Sequence, residues 1–89
     1  MTAEQITELA QLRNRIDRAY RAAGNHPALY GPSWWHLERL EALEANLPTD
    51  PAQRATVEAQ IKAQVNEMER QQWEAALKRF RSHAPRVRT

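Results

Sequence analysis

Eighty-nine residues make room for one domain and not two. With 42% hydrophobic residues the chain is too apolar to be disordered throughout. With no cysteine it has no disulfide, zinc ribbon, iron–sulfur cluster or thiol nucleophile. The net charge of +2 is unevenly spread. Residues 1–77 hold eight basic and eleven acidic side chains, whereas residues 78–89 hold Lys78, Arg79, Arg81, Arg86 and Arg88 and no acid. No apolar run approaches the ~20 residues of a membrane span. Met1-Thr2-Ala3-Glu4-Gln5 lacks the basic and then hydrophobic regions of a signal peptide. The expectation is a cytoplasmic protein with no membrane partner.

Ala, Glu, Gln, Arg and Leu dominate, which favours helices over strands. The first helix is predicted over 3–23. Thr2 is its cap and Gln5 completes a capping box. Leu9, Leu12, Ile16, Ala19, Tyr20 and Ala23 recur at spacings of three and four and form one stripe, with Arg13 at its edge and Arg15, Arg18 and Arg21 opposite. Gly24 and Pro27 end the helix. Residues 24–33 form a loop of unusual length carrying Leu29 and Tyr30, expected either to close one end of the bundle or to stand out as a recognition loop.

The second helix is predicted over 34–47, capped by Ser33 and stopped by Pro48. Leu37, Leu40, Leu43 and Leu47 make its buried stripe, with Trp34 at the edge and Trp35 projecting away. Trp35 then lies either under the 24–33 loop or on a binding surface, where Trp is enriched.

The third helix is predicted over 51–82. Asp50 is the cap, Pro51 takes the first position, and Gln53 follows three residues after the cap. Counted from Val57 at about 100° per residue, Val57, Ile61, Val65 and Met68 cluster near roughly 35°. Trp73, Ala76, Leu77 and Phe80 cluster near roughly 150°. The apolar stripe thus swings by roughly 115° across Glu69-Arg70-Gln71-Gln72. Such a swing requires a bend or break near Gln71, or two halves that bury different faces. Residues 83–89 read as a basic tail following a single helical domain over 1–82.

No catalytic constellation emerges. His26, His36 and His83 sit in separate segments and no Glu-x-x-His motif occurs. Glu38, Glu41 and Glu44 share a flank of the second helix, without a histidine, and read as a solvated face. Neither glycine belongs to a phosphate-binding loop, and Ser33 and Ser82 lack a nucleophile context. Neither enzymatic activity, a metal nor a cofactor is expected.

The fold class expected is therefore all-α: a three-helix bundle or helical hairpin-like array, with the first two helices packed along a long third. Its core is expected to include Leu9, Leu12, Ile16, Tyr20, Leu37, Leu40, Leu47, Val57, Ile61, Val65 and Met68. The functional expectation is a protein-binding module, a small regulator, adaptor or inhibitor of a larger macromolecule such as phages encode. Its contact residues come from Trp35, Trp73, Leu77 and Phe80 with Arg70, Lys78, Arg79 and Arg81. The distal stripe is satisfied by the chain's own core, by a homodimer or by a foreign protein. One alternative is nucleic-acid binding through Lys78, Arg79, Arg81, Arg86 and Arg88. Another is a structural role in a larger assembly.

Overall fold

A computed structural model describes residues 1–24 and 32–83. It is all-α, with α1 over Ala3–Ala23, α2 over Trp34–Glu44 and α3 over Pro51–His83. The segment carrying His26, Pro27, Leu29 and Tyr30, and the tail after His83, lie outside the described residues.

Local chemistry accounts for the helix ends. The Gln5 N–H donates to Thr2 Oγ1 at 3.1 Å and the Thr2 N–H donates to Gln5 Oε1 at 2.9 Å, a reciprocal capping box. Gly24 closes α1 at a φ of 54°, a backbone state that side-chain-bearing residues seldom adopt, and donates its N–H to the Tyr20 carbonyl. Asp50 Oδ2 accepts the Gln53 N–H at 3.0 Å and so caps α3. Ser33 occupies the cap position of α2, but its hydroxyl makes no capping bond; only its carbonyl serves, accepting from His36 and Leu37. Helix α2 ends at Glu44, three residues before the expected Leu47. Proline disfavours the helical conformation in the residue before it, so ahead of Pro48 the chain tightens into bonds from Asn46 to Leu43 and from Leu47 to Glu44.

The core draws on all three helices. Ile6, Leu9, Ala10, Leu12, Leu43, Leu47 and Ile61 form one buried cluster, with Leu40, Val57, Val65 and Met68 packed against it. Leu9, Leu43 and Ile61, one from each helix, are its most enclosed members. The expected arrangement needs correction. Helix α1, not α3, is the central element: it packs against both others, while no Cα of α2 comes within 8 Å of one in α3. The reason lies in the width of the α1 stripe. Ile6 and Ala10 fall on one side of Leu9, Leu12 and Ile16 on the other, so α1 holds a helix on each flank.

Two expected core residues are exposed. Tyr20 lies a turn beyond Ile16, past the stretch of α1 that contributes to the cluster. Leu37 stands outward because steps of three residues fall short of a full turn by about 60°, which places it about 120° from Leu43. Ile6 and Ala10 take their place in the core.

Ion pairs brace this thin core. The Arg13 guanidinium donates to both oxygens of Glu58 on α3, at 2.6 and 3.1 Å, and through Nε to Glu44 of α2 at 3.3 Å. One side chain thereby ties three helices together. Its hydrogen bonds hold the Glu58 carboxyl below the usual carboxylate range, against a smaller upward push from burial. Arg39 clasps Glu8 through two bonds at 2.9 and 2.7 Å, joining α2 to α1. Asn14 is the exception: it is buried, its amide reaches only Met68 Sδ at 3.9 Å, and its Oδ1 has no partner among the described residues.

Candidate protein-contact surface

Helix α3 runs unbroken through Gln71, so a break does not account for the swing in its apolar stripe. Nor do its two halves bury different faces. The proximal half sends Val57, Ile61, Val65 and Met68 towards the core cluster, with Ile61 fully buried. The distal half leaves Trp73 and Phe80 65% and 71% exposed, and Leu77 between them is only half-buried. Among the described residues the core therefore does not cover this ridge.

The pattern extends to the whole described molecule. Tyr20, Trp34, Trp35, Trp73 and Phe80 are all more than half exposed, and the buried cluster contains no aromatic ring. Large rings usually dominate the apolar burial of a core. Here the described rings are all on the outside. The area exposed, 7252 Å², is about a third more than the roughly 5,400 Å² expected of a compact monomer of this mass. Extents of 62 × 31 × 19 Å show the same elongation.

The exposed rings form two separate patches. On distal α3, Trp73, Leu77 and Phe80 follow the i, i+4, i+7 spacing of a helix face used in docking. Lys78 and Arg81 line a shallow groove beside Leu77, and Arg79 projects from the same two turns. Among the described residues these three cations have no acidic partner. Arg70 differs: Glu67 and Glu74 hold it on either side, and this pairing lowers the Glu67 carboxyl below its ordinary range. On the side of α1, Arg18 and Arg21 share a groove with Trp73 and Ala76, and Arg21 is paired with Asp17 at 2.8 Å.

The second patch lies on α2, opposite Leu43. Trp34, Leu37, Glu38 and Glu41 follow the i, i+3, i+4, i+7 spacing of one helix face and all are exposed. Glu38 and Glu41 have no cationic partner among the described residues, while Glu44 is drawn to Arg13. Trp35 sits beside this face, 55% exposed, its ring 3.8 Å from that of His36.

Of the expected contact residues, the structure places Trp73, Leu77, Phe80, Lys78, Arg79 and Arg81 on one stretch of α3. Trp35 belongs to the separate α2 patch, and Arg86 and Arg88 lie outside the described residues. Trp34, expected at the edge of the buried stripe, is more exposed than Trp35, and its position opposite Leu43 on the helix is the sequence signal for that. No described group of His, Asp and Glu has the grouping of a metal site, and no described helix is long and apolar enough to cross a membrane. Comparison with protein-family models, curated proteins and solved structures finds no match, so the two patches are read from their geometry alone.

Proposed function

We propose that this protein is a non-catalytic protein-binding module, acting in the cytoplasm as a small regulator, adaptor or inhibitor, and that distal α3 is its principal contact surface. The observation that supports this reading is the exposure of Trp73 and Phe80 on a continuous, well-capped helix whose proximal half is packed. Aromatic anchors fringed by cationic side chains are the composition of interface hot spots. A nucleic-acid partner fits less well. Glu67 and Glu69 precede the ridge and Glu74 lies within it, where they would repel a phosphate backbone, and Leu77 separates the two rings that would have to stack on bases.

The test is the Trp73→Ala/Phe80→Ala double variant, followed by thermal unfolding and by affinity capture of protein partners. Unchanged unfolding with loss of capture is the expected result. A large drop in melting temperature would show the ridge to be core and end this reading.

A further inference from the structure

A recess of about 700 Å³ lies between the middle of α1 and Met68 and Gln72 of α3. On α1, Gln11, Asn14, Arg15 and Arg18 follow the i, i+3, i+4, i+7 spacing of one helix face, and all four line it. Among the described residues no carboxylate does. Arg15 and Arg18 stand one turn apart, exposed and without an acidic partner among the described residues. The acids nearby are differently placed. Arg39 holds Glu8 and Arg21 holds Asp17, while Glu69 lines the adjoining groove with Arg18 and makes no ion pair among the described residues.

Asn14 is the second observation. It is only 6% exposed, its amide reaches Met68 Sδ at 3.9 Å, and its Oδ1 has no donor among the described residues. Burying an acceptor in this way costs stability that leucine would not, so the group calls for a partner from outside the chain. Met68 lines the same recess, and its unbranched thioether moves readily, so a ligand seated there reaches Asn14 by displacing it.

We infer that this recess binds a small phosphorylated molecule. Arg15 and Arg18 clamp the phosphate, and a hydroxyl or amino group on the rest of the ligand donates to Asn14 Oδ1. A phosphate monoester fits better than a carboxylate. It carries nearly two negative charges for the two guanidiniums and offers three oxygens to their N–H groups. The recess has the size of small-molecule sites. The inference goes beyond the reading of distal α3 and does not rest on it.

The test is a proton–nitrogen NMR titration with ribose 5-phosphate, inorganic phosphate and ribose, each at one ionic strength set with chloride. Ribose 5-phosphate is expected to move the Arg15 and Arg18 Nε–H signals and the Asn14 side-chain amide, saturating with a Kd near ~1 mM or below. Inorganic phosphate should move the arginine signals and bind more weakly, and ribose should leave all of them in place. Arg15→Gln/Arg18→Gln is expected to weaken both phosphates at least about tenfold through lost charge-assisted hydrogen bonds. Asn14→Leu should fold at least as stably as the wild type, weaken ribose 5-phosphate about tenfold and leave inorganic phosphate unaffected.

Shifts that climb without saturation to ~20 mM, or that spread evenly over all the arginines, are general ionic effects and overturn the inference. Binding unchanged in Arg15→Gln/Arg18→Gln overturns it as well. An Asn14→Leu variant that binds both phosphates as the wild type does, or loses both alike, overturns the role given to Asn14. None of these results touches the reading of distal α3, which Trp73→Ala/Phe80→Ala tests separately.

Discussion

The two halves of α3 have similar helix-forming sequence and opposite fates. From Val57 to Met68 the apolar residues meet α1 and join the cluster around Leu9, Leu43 and Ile61; from Trp73 to Phe80 the larger residues stand in solvent. Helix formation is thus not what separates them. Facing and reach separate them. The apolar stripe turns aside at Glu69–Gln72 while Trp73 still lies beside the last turns of α1. With 21 residues or about 31 Å, against 33 residues and about 50 Å for α3, α1 ends there. The longer helix overhangs its support. The lesson is that an apolar stripe reports a need for contact without reporting whether the chain supplies it.

The contrast is sharpest under substitution. Ile61→Ala removes atoms from the point where three helices meet and is expected to cost about 2–5 kcal/mol in urea unfolding. Phe80→Ala deletes a larger side chain yet is expected to change stability by less than about 0.5 kcal/mol. Similar losses for the two would erase the distinction between the halves.

Smaller effects probe the packed half alone. Asn14→Leu is expected to raise stability by about 1 kcal/mol, since it replaces a buried carbonyl oxygen that lacks a partner with apolar surface beside Met68. A loss of that size would mean that Asn14 is satisfied in solution. Arg13→Met should cost about 1 kcal/mol, because Glu58 and Glu44 remain partly exposed and water compensates them. A double-mutant cycle with Glu58→Gln isolates the pair.

The smallest effect is one of pH. The folded-state pKa of Glu58 is depressed by Arg13, so the stabilisation is fully present above the ordinary carboxylate range and is lost as pH falls through the lower folded value. Acid unfolding of Glu58→Gln should accordingly be shallower than that of the wild type, while Phe80→Ala should follow the wild type. An identical acid limb for Glu58→Gln would remove the pair from the account of stability.

Much of this architecture was legible from residues in sequence. Thr2 with Gln5, and Asp50 with Pro51 and Gln53, mark helix starts because capping is decided within four residues. The swing of the α3 stripe at Glu69–Gln72 located the boundary between packed and exposed halves. Arg13 at the edge of its stripe foreshadowed a partly buried cation, though its partners Glu44 and Glu58 lie 31 and 45 residues away and no local pattern announces them.

Local chemistry, written in the sequence by itself, thus determined the all-α class, the starts of α1 and α3 and the presence of two apolar faces on α3, because hydrogen bonding and side-chain periodicity act over a few residues. Tertiary structure alone decided that α1 is central, that Leu37 and Tyr20 face outward, and that Trp73 and Phe80 have no cover among the described residues. Those outcomes depend on helix lengths and on which flank of α1 each neighbour occupies, and burial is a property of the neighbour as much as of the residue.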